Sequence, residues 1–296
     1  MTVEFDANAP PVTPRDAATV ILLRDGEAGL EVFFVKRHAD VRFMGGAYVF
    51  PGGKVDEADR DSRVPADLDA ASAAKRLSDG DEARARALHV AAARECLEEA
   101  GVLFTTNDAL SAADVAALRH ACDVEKKPLF EILPPRNVTL RLSALVPFSR
   151  WITPRQETRR FDARFFLAVA PRGVQATHDN GETIASLWLS PREAIARAER
   201  QEIVLVPPTY RTVQLLARAN SVAAALALAA PGALEPHEPR VAFTDDGAAV
   251  VLLRDDPAHS GSEMPVRDGR PIDPEKDLAT RFTYRDGTWQ AGQFRT

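Results

Sequence analysis

The stretch of sequence that decides the fold is RECLEEAGV, residues 94–102. Three of its residues, Glu95, Glu98 and Glu99, have the spacing that places side chains on one face of an α-helix. Gly101 is typical of the residue that ends a helix, so these carboxylates would lie in its final turns. Anions at that end oppose the helix dipole and repel one another, which costs a few tenths to about 1 kcal/mol each. A divalent cation would relieve the repulsion, because hard cations bind carboxylate oxygens.

An acidic triplet also fits an ordinary solvated helix face. Leu97 continues the apolar stripe of Val90, Ala93 and Ala100, which predicts an amphipathic helix whose carboxylates point away from the core. Upstream, residues 50–53 read FPGG, a glycine-rich break after a short predicted strand. A strand, a glycine loop and an acidic helix together favour a site for a metal-bound phosphate.

These segments resemble the Nudix box, whose pattern is G-x5-E-x7-R-E-U-x-E-E-x-G-U with U an aliphatic residue. Gly53 matches the first glycine, and residues 94–102 match the second half with Cys96 at a U position. The first acid is Asp59, where the family has glutamate, and 34 residues separate it from Arg94, where the family has seven. The box therefore carries an insertion of 27 residues, which a surface loop accommodates at a small cost in closure entropy.

A second segment is similar to the motif of coenzyme A diphosphatases in this superfamily, L-[LF]-T-x-R-[SA]-x3-R-x3-G-x3-F-P-G-G. Four residues keep its spacing, namely Arg37, Arg42, Gly46 and Phe50. Phe33, Val35 and His38 stand where the motif has leucine, threonine and a small residue. Together with the interrupted box and the segments around Trp151 and Arg164, the chain resembles the subgroup that includes the mammalian peroxisomal Nudix hydrolase with an inserted box and its bacterial relatives.

This resemblance implies an α/β fold, a Nudix-type α/β/α sandwich with a mixed sheet, a helical insertion and a C-terminal extension. It implies a hydrolase of phosphorus-containing acid anhydrides that uses Mg²⁺ or Mn²⁺ to cut coenzyme A or acyl-coenzyme A into 3′,5′-ADP and (acyl-)phosphopantetheine. Two alternatives stay open. One is the same chemistry on ADP-ribose, NADH or another nucleoside diphosphate derivative, and the other is a catalytically silent nucleotide-binding module that regulates a partner.

The site residues divide by role under this hypothesis. The metal ligands are Glu95, Glu98 and Glu99, the catalytic residues are Glu98, Arg94 and Glu182, and the substrate-binding residues are Arg37, Arg42, Gly46, Phe50, Gly52 and Gly53. Arg94 would orient the glutamates through charge-assisted hydrogen bonds, with a plain surface salt bridge as its alternative. Asp179, Glu182 and Glu157 are candidates for a base in a later loop. The glycines would let backbone approach a diphosphate, and the arginines would grip phosphates in a bidentate manner.

Composition narrows the classes of partner. The 296 residues are 45% hydrophobic and 27% charged, as in ordinary globular proteins. A net charge of −6 gives no global attraction to nucleic acid or to an acidic membrane. We therefore expect neither nucleic acid nor a membrane as partner. The resemblance implies a small-molecule diphosphate as partner, and a homodimer is possible. The two cysteines suit a reducing compartment, and with neither a signal peptide nor a peroxisomal address in view we expect a cytoplasmic location.

We expect the chain to divide into a disordered segment, 1–15, a Nudix domain, 16–255, with a helical insertion at about 60–93, and a C-terminal extension, 256–296. Periodicity and turn residues predict strands at 17–23, 30–36, 47–50, 139–147, 164–169, 184–189, 241–243, 248–253 and 281–289, and helices at 65–77, 81–100, 111–122 and 208–229, with another starting at Pro191.

Overall fold

A mixed sheet of eight strands forms the centre of the structure. This computed structural model describes residues 12–38, 45–107, 110–171, 173, 176–179, 181, 183–229, 234–261, 265–274 and 276–294. The strands are β1 Arg15–Gly26, β2 Gly29–Arg37, β3 Tyr48–Val49, β4 Gly52–Lys54, β5 Val146–Ile152, β6 Phe161–Val169, β7 Thr183–Leu189 and β8 Pro236–His237. Their order is β3-β2-β1-β6-β5-β8, with β4 paired to β1 and β7 to β2. The pairs β1–β6 and β5–β8 are parallel, and the other pairs are antiparallel.

Helices cover this sheet. They are α1 Ala70–Leu77, α2 Glu82–Ala100, α3 Ala112–Asp123, α4 Leu129–Ile132, α5 Pro191–Glu199, α6 Pro207–Leu216 and α7 Val222–Ala227. Within the part of the chain that the structure describes, none of them is long and apolar enough to cross a membrane. The predicted ends of α2 are confirmed, because Asp81 accepts a hydrogen bond from Arg84 N at 2.9 Å and Gly101 follows the helix with φ of 65°.

Both faces of the sheet are packed. Residues 20–23 of β1 are fully buried one after another, as in strands that are covered on both sides. Phe166 of β6 packs against His89 of α2 with ring centroids 4.8 Å apart and the ring planes tilted by 55°. Its neighbour Phe165 points to the opposite face, where it meets Phe50 at 6.3 Å. The predicted α/β/α sandwich around a mixed sheet is confirmed.

Two predicted elements are wrong in position. The strand predicted at 139–147 begins only at Val146, and Leu142–Ala144 forms a 3-10 turn. Leu140 pairs instead with the insertion, since its N–H donates to Pro65 O and its carbonyl accepts from Asp67 N, both at 2.9 Å. This pairing takes the backbone around Ala66 out of the helix, and Asp69 caps the first turn by accepting a hydrogen bond from Ser72 N at 2.6 Å, so the helix predicted from 65 starts at 70.

The helix predicted at 208–229 is two helices, α6 and α7, because Ser221 starts the second one. Its side chain accepts a hydrogen bond from Ala224 N at 3.2 Å. Asp25, next to the last residue of β1, accepts a second hydrogen bond from Val222 N at 2.8 Å. A capping side chain and a distant carboxylate therefore fix a new helix start inside an apolar stretch.

A second, antiparallel sheet of five strands follows. They are β9 Arg240–Phe243, β10 Ala249–Leu252, β11 Arg270–Pro271, β12 Arg281–Arg285 and β13 Thr288–Gln293, in the order β11-β13-β12-β10-β9. The predicted hairpin of β9 and β10 is confirmed. The predicted strand 281–289 is instead a hairpin, because Asp286 and Gly287 both have positive φ and form a tight turn. Strands β9 and β10 of this sheet precede residue 255, the predicted end of the Nudix domain, and β11 to β13 follow it. The division into domains stays a prediction.

Helix α6 joins the second sheet to the first. Tyr210 packs edge-on against Phe282 of β12 at 5.6 Å, and Gln214 accepts a hydrogen bond from Ala279 N at 3.0 Å. Phe282 belongs to the same buried cluster as the strands of the first sheet. The C-terminal strands are therefore packed onto the core that supports α2.

His89 provides a pH-dependent test of this packing. It is fully buried, with Nδ1 2.8 Å from Ala85 O, and burial lowers its pKa to about 4. The unfolded chain, with a histidine pKa of about 6.5, binds the proton more tightly, so stability falls as the pH drops from about 6.5 toward 4. Between pH 7 and 5 we expect this group to lower the free energy of unfolding by about 2 kcal/mol. Urea unfolding of His89→Gln should show a shallower pH slope than the parent, and equal slopes would contradict this account.

Candidate active site

Arg94 is the centre of a buried acidic cluster in the second half of α2. Its Nε and Nη2 donate to the two carboxylate oxygens of Asp59 at 2.9 and 3.0 Å. Its Nη1 donates to Glu95 Oε1 and to Glu98 Oε2, both at 2.8 Å, and Nη2 also donates to Lys54 O at 2.9 Å. One guanidinium thus binds three carboxylates and the last residue of β4, so the alternative of a plain surface salt bridge is excluded.

Asp59 reaches Arg94 in spite of the insertion between them. It lies in the 3-10 turn Glu57–Arg60 and is 2% exposed. The turn is closed by Asp56, whose N–H donates to Asp59 Oδ2 at 2.8 Å. The two halves of the interrupted box therefore meet at the turn that holds Asp59, which five residues separate from Gly53.

The pKa of Glu95 is raised because its carboxyl is buried among other carboxylates. Burial raises the pKa of its carboxyl to about 7, and the charges of Glu98 and Asp59 push in the same direction, together outweighing the attraction of Arg94. Burial opposes the charge on Arg94, but its acidic partners raise the pKa of the guanidinium above its usual range. Arg94 is therefore a permanent cation. A further positive charge beside Glu95 would stabilise the ionised form of its carboxyl.

The alternative of an ordinary solvated helix face is wrong for these carboxylates. Glu95 is 8% exposed and Glu99 is 5% exposed, because the glycines of β4 lie directly against them. Glu99 Oε2 accepts a hydrogen bond from Gly52 N at 2.9 Å. Repulsion between the glutamates does not by itself require a metal ion, since Arg94 and this backbone N–H already compensate their charges in part.

The two glycines of β4 allow the close approach. A Cβ on Gly53 would lie 2.7 Å from Glu95 Cδ, and a Cβ on Gly52 would lie 2.5 Å from Ala18 O of β1. Any side chain at either position would push the backbone off the carboxylates or off β1. The pair is therefore more than a simple turn, because it brings bare backbone next to the acidic cluster.

The donor set has the chemistry that a hard divalent cation requires. Glu95, Glu98 and Glu99 offer carboxylate oxygens beside the half-buried backbone of β4, and a carboxylate has about four lone-pair sites. Among the described residues, however, no three or more acidic, histidine or cysteine side chains converge on one point as metal ligands would. Arg94 Nη1 instead lies between Glu95 and Glu98.

Three of the predicted substrate-binding residues lie around the end of β2. Gly46 N donates to Arg37 O at 3.1 Å, and Gly46 has φ of 78°. Phe50 is 3% exposed and packs between Phe34 and Phe165 at 5.4 and 6.3 Å, which gives it a place in the core. Contact of these residues with a substrate stays a prediction.

The remaining predictions concern Arg42 and the candidates for a base. Arg42 and Glu182 lie outside the residues that the structure describes. Asp179 Oδ1 accepts hydrogen bonds from Thr183 N at 2.8 Å and from Thr183 Oγ1 at 2.7 Å, so it closes the turn into β7. The assignment of a base to Asp179, Glu182 or Glu157 stays a prediction.

Sequence reasoning missed two contacts made by α3. Cys122 Sγ donates to Glu98 Oε1 at 3.2 Å, and Arg119 Nε donates to Glu98 O at 2.9 Å. Neither residue belongs to a motif, and each is more than 20 positions from Glu98. The only local signal is their spacing of three, which places both on one face of a helix.

Comparison with known proteins agrees with this geometry. A family profile described as the NUDT19 Nudix domain matches residues 70–216. The crystal structure of a Nudix hydrolase from Alicyclobacillus acidocaldarius is similar with a TM-score of 0.57 and 29% identity, over 74% of this chain and 98% of that one. The chain belongs to the Nudix hydrolases. These are enzymes of diphosphate linkages, so the predicted enzyme class is confirmed.

Two curated relatives of this Nudix hydrolase carry the name acyl-coenzyme A diphosphatase NUDT19. The protein from Gallus gallus is 28% identical over 249 residues, which cover 66% of each chain. The protein from Homo sapiens is 28% identical over 271 residues, which cover 77% of this chain and 72% of the relative. The chain thus spans about two thirds of the length of the chicken protein.

Removal of the Asp59 carboxylate should lower both the free energy of unfolding and the rate of hydrolysis. In Asp59→Ala, two donors of the buried Arg94 lose their partner, so we expect the free energy of unfolding to fall by about 3 kcal/mol and diphosphate hydrolysis to fall at least about tenfold. Asp61→Ala, which breaks an exposed pair with Arg63, should cost less than about 1 kcal/mol. Urea unfolding and steady-state kinetics measure both effects, and equal stability of the two variants would refute the role of Asp59.

Gly53→Ala should lower the rate of hydrolysis more than it lowers the stability of the fold. The new Cβ would displace the Glu95 carboxylate, and a displacement of about 1 Å costs on the order of 10²-fold in rate. Gly80→Ala is the matched control, because nothing lies within 4 Å of a Cβ there. Hydrolysis rates and Mn²⁺ titrations of the two variants check this, and a Gly53→Ala protein as active as Gly80→Ala would count against the close approach.

Proposed function

We propose that this Nudix hydrolase cuts the diphosphate linkage of coenzyme A or acyl-coenzyme A, giving 3′,5′-ADP and phosphopantetheine or its acyl form. The observation that carries the proposal is the buried cluster in which Arg94 holds Asp59, Glu95 and Glu98 beside the bare backbone of β4. The substrate follows from the relatives named acyl-coenzyme A diphosphatase and from the motif spacing of residues 37–53.

Mg²⁺ or Mn²⁺ is the proposed cofactor. Glu95, Glu98 and Glu99 would hold it, and it would neutralise phosphoryl oxygens and lower the pKa of a bound water. The protein contributes the orientation of these side chains. Arg94 fixes one oxygen each of Glu95 and Glu98, and Gly52 N fixes one oxygen of Glu99, so three carboxylates are preorganised before a ligand arrives.

Glu98 is the best placed of these carboxylates to meet a water molecule. Its side chain is 16% exposed, compared with 11% for Glu95. We therefore assign Glu98 as ligand or base at the solvent side of the cluster, with Glu95 and Glu99 behind it. Arg37 and Arg42 are proposed to bind phosphates of the substrate. A homodimer, a cytoplasmic location and the absence of nucleic-acid or membrane partners belong to the same proposal.

A panel of diphosphates tests the substrate. We expect coenzyme A or an acyl-coenzyme A to be cleaved with kcat/KM at least tenfold above ADP-ribose and NADH, in a reaction that needs Mg²⁺ or Mn²⁺ and stops with EDTA, as metal-assisted hydrolysis requires. Mass spectrometry of the products should show 3′,5′-ADP. Glu99→Gln is the control for contaminating activity and should be at least about tenfold slower.

Two results would contradict the proposal in different ways. A preference for ADP-ribose or NADH would keep the chemistry and replace the substrate. Tight nucleotide binding without hydrolysis of any diphosphate would support the silent module, the alternative of another class.

A further inference from the structure

Helix α3 contacts Glu98 twice, although it lies outside both halves of the Nudix box. Cys122 Sγ donates to the carboxylate at 3.2 Å, and Arg119 Nε donates to the backbone carbonyl at 2.9 Å. We propose that Cys122 and Arg119 are positioning residues, which fix the side chain and the backbone of Glu98 for the reaction. This inference deepens the proposed function and rests on it.

The two oxygens of Glu98 are bound from different helices. Oε2 accepts from Arg94 Nη1 of the same helix at 2.8 Å, and Oε1 accepts from Cys122 of α3. Arg94 alone would leave the carboxylate free to rotate about its last torsion, because one hydrogen bond fixes one oxygen. The second donor removes that freedom, and each oxygen retains another lone pair for a ligand or a proton.

The thiol of Cys122 acts as a donor. The residue is 3% exposed, and its sulfur lies at hydrogen-bond distance from an oxygen of Glu98, which can only accept when the carboxylate is ionised. Packing alone does not require this atom, because valine or alanine fills a buried helical position equally well. Cys96, by contrast, is fully buried within α2 itself and matches an aliphatic position of the box.

Arg119 fixes the helix end below Glu98. Its two terminal nitrogens donate to Thr177 Oγ1 and O at 3.2 and 3.0 Å, and Thr177 N donates to Ala100 O at 3.0 Å. Two carbonyls in the last turn of α2 thereby gain partners that the helix cannot supply. The guanidinium also places a positive charge at the negative end of the helix dipole, where the glutamates are unfavourable.

Three variants separate positioning from packing. Cys122→Val removes the donor at similar volume, Cys122→Ser keeps a donor, and Leu118→Val trims a fully buried residue of the same helix. The measurements are Mn²⁺ affinity by water-proton relaxation, kcat and KM for coenzyme A, and thermal unfolding.

We expect Cys122→Val to weaken Mn²⁺ binding and to lower kcat by about tenfold each, with KM little changed. This is the usual effect of losing a partner of a metal ligand. Cys122→Ser should stay within about threefold of the parent, and Leu118→Val should lose stability without either effect.

Wild-type Mn²⁺ affinity and kcat in Cys122→Val would overturn the role of Cys122, as would equal losses in Cys122→Val and Cys122→Ser. If Cys122→Val does not fold, Cys122→Ala takes its place. Arg119→Gln should lower kcat and Mn²⁺ affinity in the same direction, and a variant with only a lower unfolding temperature would reduce Arg119 to a structural role. Failure of the proposed function is distinguishable, because the parent would then hydrolyse no coenzyme A while the Mn²⁺ titrations still rank the variants.

Discussion

The site depends on one buried guanidinium. Arg94 binds Asp59, Glu95 and Glu98 and the carbonyl of Lys54, so it ties a 3-10 turn, a helix and a strand to one point. Buried carboxylates without such a partner would carry a desolvation cost of several kcal/mol each, and removal of one member of such a cluster leaves the others uncompensated. The geometry of the acidic cluster is therefore a consequence of how Arg94 is satisfied.

The insertion leaves this arrangement intact because it is itself folded. It forms α1 and lengthens α2 toward its N-terminus. Arg84, in the first turn of α2, donates to Asp79 at 3.0 Å, and Arg86 donates to Val64 O at 2.5 Å. These contacts close the inserted segment on itself, so Asp59 before it and Arg94 after it stay adjacent. A flexible loop of equal length would meet the same closure requirement at a higher entropic cost.

The sequence predicted features that are encoded locally. Asp81 and Gly101 mark the ends of α2 because caps act within one turn, and the alternation of apolar residues located most of the strands. Features set by distant contacts were missed. The burial of Glu95 and Glu99 depends on the glycines of β4, some 40 residues away, and the helix break at Ser221 depends in part on Asp25. Cys122 could not be connected with Glu98 for the same reason.

The charges of the cluster explain how carboxylates persist at the unfavourable end of a helix. The cluster contains four carboxylates, which carry four formal negative charges: Asp59, Glu95, Glu98 and Glu99. Arg94 and Arg119 contribute two positive charges. Two negative charges are left without a partner charge in a largely buried volume. Burial and this excess of negative charge agree with the raised pKa of Glu95, about 7, because protonation of that carboxyl removes one of the two charges. A divalent cation would balance it fully and keep every carboxylate charged. The proposed metal dependence thus rests on charge that the two arginines leave uncompensated, and no longer on the simple repulsion between neighbouring glutamates.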